Sequence, residues 1–257
     1  MGAHQLVQGG TLSRRPERPT KDAAMTEAAE TLATGDANPV VLSQNETESL
    51  CLKAARGAGF SWGLAEEAGL AAGWLAAQGI DPTASLLSFL TEKLDMDAGV
   101  GMPRPMLGHW QSSDQHPLCP ITLGAALCDA ALLPDGPFGQ DTRLDPVAYP
   151  ILVLPFLVRA AQISSKAVAI DWQDGQLQIA ADGAFDRQTA IRWTQIKYLA
   201  MTLRQATNIK VEKDRLTNLA AISAASLDGL NALALKTTVP ATDASRRGAG
   251  SATADND

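Results

Sequence analysis

The spacing of apolar and polar positions first predicts a helix near residue 43. Ser43 and Glu46 have capping-box spacing, so each side chain can satisfy a free backbone donor of the other at a helix start. The apolar pattern then continues through Arg56. Gly57 and Gly59 supply the permissive backbone that ends a helix, and the pattern therefore predicts one helix up to this glycine-rich turn.

A second helix is predicted from Trp62 to Gln78, with Ser61 as its cap. Apolar side chains cover most of its circumference, which is typical of a helix buried between other elements. Its internal glycines would let neighbouring backbones approach closely; they are Gly63, Gly69 and Gly73.

A third helix and a long loop follow. Asp81 as cap and Pro82 at the first position predict a helix to about Leu94. From Met96 to Pro120 prolines and glycines interrupt every pattern, which predicts a loop of about 25 residues. A loop of that length inside a compact domain is typical of a functional or a disordered segment.

The second half of the chain predicts strands and further helices. Asp174 and Gly175 are flanked by two apolar runs and predict a β-hairpin over 168–180. The apolar segment 118–133 predicts a strand and a short helix, and a turn-rich connection follows over 134–146. A strand from Tyr149 is predicted to turn into a helix at Pro155. The last predicted elements are a strand at 190–193 and helices over 194–205 and 214–236.

Together these elements predict an α/β or α+β fold. We expect a single compact domain over residues 39–239, with a helical N-terminal half and a small sheet that includes the hairpin near 167–181. Residues 1–38 lack hydrophobic periodicity, which predicts a disordered extension. For residues 240–257 two hypotheses stay open: a disordered tail, or a segment folded back onto the domain. Whether translation starts at Met1 or Met25 also stays open.

Charge, apolar stretches and cysteine content disfavour a nucleic-acid-binding protein and a membrane protein. The net charge of −7 and the pI near 5.0 disfavour nucleic-acid binding. The apolar stretches 151–163 and 216–235 contain polar or charged residues, so we expect no membrane span. Three cysteines without a disulfide or zinc spacing, and a polar amino terminus without a signal-peptide pattern, predict a soluble cytoplasmic protein.

The glycine-rich turn is the first candidate site. Backbone amides at a helix start bind carboxylates or phosphates, and Arg56 could add a bidentate contact. This hypothesis makes Arg56, Gly57, Gly59 and Ser61 ligand-binding residues. The alternative is a joint between two helices that needs glycine for its geometry, because the turn matches neither the dinucleotide nor the P-loop fingerprint.

Two acids in the second helix form the next candidate. Burial would raise the pKa of Glu66 or Glu67 and suit one of them for proton transfer. The alternative is a pair of first-turn carboxylates that stabilise the helix dipole.

The long loop carries His109, Asp114, His116 and Cys119. Such groups could bind zinc, or a histidine such as His109 could act as a catalytic base toward the thiol. The spacing matches no established zinc motif, so we predict no metal site, and Cys119 could equally be a small buried apolar residue. In the tail, Ser245 and Arg246 are candidate contacts to an anionic ligand if that segment closes over a pocket.

Several segments together resemble an uncharacterised bacterial family that is catalogued only as a domain of unknown function. They are Arg56-Gly-Ala-Gly-Phe-Ser-Trp-Gly-Leu-Ala-Glu-Glu-Ala-Gly69, Leu118-Cys-Pro-Ile121, Tyr149-Pro-Ile-Leu-Val-Leu-Pro-Phe156 and a terminal Pro-Ala-Thr-x-x-Ser-Arg stretch. The resemblance covers about residues 40–257. It implies no reaction, cofactor or catalytic residue, and it implies that the tail belongs to the domain.

These observations lead to two functional hypotheses. The first is an enzyme or ligand-binding protein of bacterial metabolism that takes a small anionic molecule, with the turn, the second helix and the long loop converging on a pocket. The second is a non-catalytic interaction or assembly subunit, which a large exposed apolar patch without a concave polar pocket would favour. Cofactor content stays unknown, and a homo-oligomer stays open.

Overall fold

The computed structural model describes residues 40–97, 99–207, 209, 211 and 219–237. This part of the chain contains helices, one six-stranded mixed sheet and a two-stranded ribbon. The α-helices are α1 (Gln44–Gly57), α2 (Trp62–Ala77), α3 (Thr83–Lys93), α4 (Pro120–Asp129), α5 (Leu154–Ser164), α6 (Arg187–Arg192) and α7 (Ala224–Leu235), with short 3-10 helices at Pro150–Val153 and Trp193–Gln195. The predicted α/β or α+β class is confirmed.

The first two helices begin where the sequence predicts, whereas α3 begins one residue later, because Pro82 is its N-cap and not its first residue. Ser43 N donates to Glu46 Oε2 at 2.8 Å and Glu46 N donates to Ser43 Oγ at 3.2 Å, so the capping box at α1 is confirmed. Ser61 Oγ accepts from the backbone amide of Leu64 at the start of α2. Asp81, the predicted cap, lies one position before the N-cap Pro82, and it accepts from the amide of Thr83 at 2.8 Å.

The strands form a six-stranded sheet and a separate two-stranded ribbon. They are β1 (Val40–Val41), β2 (Pro103–Arg104), β3 (His109–Ser112), β4 (Thr142–Ala148), β5 (Ala167–Trp172), β6 (Gly175–Ile179), β7 (Tyr198–Ala206) and β8 (Ala221–Ile222). The large sheet has the order β2-β3-β4-β7-β5-β6, in which only β3 and β4 run parallel, and β1 pairs with β8. The predicted hairpin is confirmed as β5 and β6.

Two predictions around residue 195 were wrong. The segment 194–205, predicted as a helix, is mostly β7 in the middle of the sheet, where Met201 and Leu203 are buried at strand spacing. The segment 190–193, predicted as a strand, ends α6 and starts a 3-10 turn. Asp186 accepts from Thr189 N at 3.1 Å and caps α6, a signal that the sequence reading missed.

Three further predictions need correction. The long loop contains β2 and β3, and β4 begins inside the connection predicted over 134–146. The strand predicted at Tyr149 is a 3-10 turn, although α5 does start beside Pro155 as expected. The helix predicted over 214–236 is α7 only over 224–235: Ala221–Ile222 form β8 instead, and 212–218 lie outside the described residues. The predicted extension and tail lie outside them as well.

Helix α2 is buried against α1, as its all-round apolar surface predicts. A Cβ on Gly69 would lie 2.8 Å from the carbonyl oxygen of Glu48, so the close approach predicted there is confirmed, as it is at Gly73. The prediction is wrong for Gly63, which faces open space. No helix in the described ranges is long and apolar enough to cross a bilayer.

Candidate functional site

A cleft of about 690 Å³ opens where the turn between α1 and α2 meets the end of α3 and the start of α4. We call it the turn cleft. Its volume falls within the range of small-molecule sites, roughly 300–1,000 Å³. It is lined by Ala58, Gly59, Phe60, Ser61, Leu64, Lys93, Leu94, Met96, Gly99, Val100, Met102, Cys119 and Thr122.

A smaller hollow of about 40 Å³ adjoins the turn cleft, and we call it the alcove. Lys93, Met96, Val100 and Cys119 line both hollows, so one wall is common to the two. The alcove is lined by Phe89, Glu92, Lys93, Met96, Val100, His116, Pro117, Cys119, Ala148 and Tyr198. This space admits water or a small polar group of a larger molecule.

Local backbone chemistry shapes the turn that borders the cleft. Gly59 has φ +96°, a conformation that other residues adopt only with strain, and it is exposed. The amide of Phe60 donates to Ala55 O at 3.1 Å and closes the end of α1. Ser61 then caps α2, so the positive end of the α2 dipole borders the cleft.

Lys93 places a positive charge in the wall shared by the cleft and the alcove. It lies in the last turn of α3, and its Nζ donates to the carbonyl of Val100 at 2.6 Å. No carboxylate of the described residues lies within salt-bridge distance of Lys93. An anionic group in the cleft would therefore find a cation that is not already neutralised.

The long loop is tied to the start of α4 beside Cys119. The amide of Cys119 donates to Gly101 O at 2.8 Å, and Gly101 has φ +73°, where a side chain would also crowd Pro117 O. Asp114 accepts from the amides of Gly101 and His116. Burial alone would raise the pKa of Asp114. The hydrogen bond from the Ser112 hydroxyl and those from the two amides outweigh it, so the pKa is lowered.

Three side chains form a hydrogen-bonded group at the edge of the alcove. Tyr149 OH donates to Glu92 Oε1 at 2.6 Å, and Lys197 Nζ lies 2.9 Å from the same oxygen. Tyr149 has φ +44° and ψ +65°, a left-handed conformation that costs a bulky residue on the order of 1–3 kcal/mol. Its amide donates to Lys197 O at 2.7 Å, which fixes the two residues side by side.

The charge states of this group follow from its contacts. Burial, followed by the hydrogen bond to Glu92, raises the pKa of Tyr149 to about 12. Burial alone would raise the pKa of Glu92. The hydrogen bonds from Lys197 and Tyr149 have the larger combined effect, so the pKa is lowered. The hydrogen bond to Glu92 raises the pKa of Lys197. At neutral pH the group therefore consists of a protonated phenol, a carboxylate and an ammonium.

The residues predicted at the turn separate into two groups. Gly59 and Ser61 line the turn cleft. Arg56 does not: its guanidinium donates to Phe60 O and stacks over the Trp62 ring at 4.7 Å. Gly57 packs against α7, because a Cβ there would overlap the carbonyl group of Leu233. Arg56 and Gly57 therefore stabilise the joint between helices, as the alternative hypothesis proposed for the whole turn.

The two acids of α2 lie outside the turn cleft and the alcove. Glu66 is exposed, so the desolvation on which its proposed role depends is missing. Glu67 pairs with Arg159 at 3.2 Å beside a different hollow, of about 230 Å³, between α2 and α5. The structure therefore does not bring these carboxylates to the predicted pocket.

His109 lies in β3 and has both ring nitrogens engaged. Its Nε2 is 2.8 Å from Asp145 Oδ1, and the amide nitrogen of Gln111 is 3.1 Å from its Nδ1. If Nε2 donates to the carboxylate, Nδ1 accepts from the amide, and no lone pair remains for a substrate proton. Ser245 and Arg246 lie outside the described residues.

No group of three metal-ligating side chains forms in the parts of the chain that the structure describes. The residues that sequence reasoning missed are Glu92, Lys93, Tyr149 and Lys197. Tyr149 stood in a segment that we noted for its resemblance, but no local spacing indicates that it bonds to a carboxylate 57 positions away.

Residues 42–123 match the model of a family described as "Protein of unknown function (DUF3726)". The predicted resemblance to a family of unknown function is confirmed, although the match ends well before the expected Asp257. Every residue that lines the turn cleft falls within the match, whereas Ala148 and Tyr198 of the alcove do not. Comparison with the curated proteins and with the solved structures gives no match.

Proposed function

We propose that this chain binds a small amphipathic anion in the turn cleft. The observation that carries the proposal is the cleft itself, in which one uncompensated ammonium group lies among apolar walls. Ligand sites commonly combine a mostly apolar lining with a few polar groups that fix orientation. An anion with an apolar portion fits that combination.

The two parts of the ligand would use different walls. Phe60, Leu64 and Met102 offer apolar surface to the hydrocarbon portion. Lys93 and the first amides of α2, which helix geometry leaves without an intrahelical acceptor, offer donors to the anionic group. A chemical step at this site would use groups that face the ligand, and Glu66 and Glu67 are not among them.

The cellular setting is part of the same proposal. The three cysteines are free, as a reducing compartment would keep them. A cytoplasmic protein of bacterial metabolism that takes a small anionic metabolite agrees with this state and with the acidic composition.

A calorimetric titration with octanoate and octylammonium tests the proposal. Burial of the chain contributes roughly 0.8 kcal/mol per methylene, which after the cost of association corresponds to a Kd on the order of 1 mM for octanoate. We expect octylammonium to bind about tenfold more weakly, because it lacks the contact with Lys93.

The negative net charge of the chain works against the expected preference for octanoate over octylammonium. At −7, the protein as a whole attracts cations, so only a local site can reverse the preference. Replacement of Lys93 by Met should remove the preference for octanoate, whereas Lys53→Met, on the exposed side of α1, should preserve it. Equal affinity for the two probes, or tighter binding of octylammonium, would contradict the proposal.

The rim of the cleft favours one alternative function. Leu94, Met96 and Met102 are each about two-fifths exposed, an arrangement that also suits docking of a partner protein. In that case the cleft would recognise an apolar side chain of the partner, and the isolated protein would not distinguish octanoate from octylammonium.

A further inference from the structure

We propose that the alcove is a subsite of the turn cleft in which Glu92 accepts a hydrogen bond from a hydroxyl or amino group of the ligand. This inference rests on the proposed function and names its ligand class: a small acid that carries a hydroxyl or amino group next to the acidic group, with an apolar remainder. Tyr149 and Lys197 are positioning residues, because they hold the carboxylate of Glu92 and line neither the turn cleft nor the alcove.

The first step in the argument is the wall that the two hollows share. Four residues line both of them, and Lys93 is one of the four. A ligand whose anionic group contacts Lys93 therefore lies against the wall that the turn cleft shares with the alcove. The alcove has room for a group of one or two heavy atoms, such as a hydroxyl or an amine.

The second step concerns the free oxygen of Glu92. Both hydrogen bonds to the carboxylate, from Tyr149 and from Lys197, end on Oε1. No hydrogen bond to Oε2 comes from the residues that the structure describes, and Glu92 lines the alcove. One oxygen is thus held in place while the other can accept from a ligand.

The third step concerns charge. The carboxylate of Glu92 is neutralised by Lys197, so it does not repel an anionic ligand as an isolated carboxylate would. Lys93 bonds only to a backbone carbonyl and keeps its charge for the ligand. Lys93 in the shared wall can therefore contact the acid group of the ligand. Glu92 in the alcove can accept a hydrogen bond from a second group of the same ligand.

The strained backbone of Tyr149 agrees with this arrangement. A left-handed bulky residue persists where surrounding contacts determine it, and such residues cluster at functional sites. In this conformation the Tyr149 amide donates to Lys197 O, and the Tyr149 hydroxyl donates to Glu92. Tyr149 therefore connects the end of β4 to the residue before β7 and to α3.

The test compares 2-hydroxyoctanoate, as separate enantiomers, with octanoate in calorimetric titrations. A hydrogen bond to a charged acceptor should make one enantiomer bind the wild-type protein about tenfold more tightly than octanoate. Glu92→Gln should reduce that ratio to about threefold or less, because the charge on the acceptor is lost. Glu66→Gln, an exposed site on α2, should leave the ratio unchanged.

Tyr149→Phe provides a second variant that keeps the carboxylate and removes one bond to Oε1. We expect the ratio to fall there as well, because the carboxylate can then rotate away from the alcove. A wild-type ratio near one, or an unchanged ratio in both Glu92→Gln and Tyr149→Phe, would overturn the subsite while octanoate binding still supports the cleft. Absence of binding by every probe would overturn the proposed function itself.

Discussion

Replacement of Gly57 by Ala is expected to lower the free energy of unfolding by about 2–3 kcal/mol, as a crowded core substitution does. A Cβ at this position would overlap the backbone carbonyl of Leu233 in α7. Backbone cannot rotate away as the end of a flexible side chain can, so α1 and α7 would have to separate. The better helix propensity of alanine recovers only about 1 kcal/mol of that cost.

Gly63→Ala is the matched control for this prediction. Gly63 is also helical, but a Cβ there meets nothing within 4 Å. Its stability should stay the same or rise by about 0.5 kcal/mol. Urea unfolding of the two variants and the wild-type protein provides the comparison. Equal stability of Gly57→Ala and Gly63→Ala would refute the packing role of Gly57 and reopen its assignment as a ligand-binding residue.

Filling the turn cleft should abolish binding while the fold persists. Leu64 and Met102 line the cleft, and neither is fully buried, so Trp at either position can extend into the open space. Because an indole would occupy the volume available to the hydrocarbon chain, we expect the Kd for octanoate to increase more than about tenfold in each variant.

Leu132→Trp is the control for the filled cleft. Leu132 is 73% exposed and lines neither the cleft nor the alcove. Its Kd for octanoate should equal that of the wild-type protein, and circular dichroism should give the same melting transition for all three Trp variants within a few degrees. Wild-type affinity in both Leu64→Trp and Met102→Trp would place the octanoate site elsewhere.

The parts of the fold that sequence predicted well depend on contacts between near neighbours in the chain. The side chains of Ser43, Ser61 and Asp81 bond to backbone amides two or three residues ahead, so the residues themselves indicate to within one position where each helix begins. The hairpin turn at Asp174 and Gly175 is equally local.

The wrong predictions depend on partners that are distant in the chain. Segment 198–206 is a strand because it lies between β4 and β5, and its own apolar spacing also suits a helix. Pairing with β4 likewise makes a strand of β3 within the predicted loop.

In the candidate site too, the residues with local roles were predictable from the sequence, and those with distant partners were not. Gly59 and Ser61 were predictable because turn and cap chemistry is local, and both line the cleft. The group formed by Glu92, Tyr149 and Lys197 joins α3 to the ends of two strands, and only the tertiary structure brings these residues together. Glu66 and Glu67 were predicted as site residues because they are the acids of an apolar helix, but neither lines the cleft.

The occupancy of the turn cleft can be measured directly through its methionines. Met96 and Met102 line the cleft, whereas Met106 is exposed outside it and Met201 is buried in β7. In a protein labelled with ¹³C at the methionine methyl groups, octanoate should shift the signals of Met96 and Met102 in a saturable way and leave those of Met106 and Met201 in place. Unchanged signals from Met96 and Met102 at saturating octanoate, or equal shifts of all four, would contradict a ligand site in the cleft.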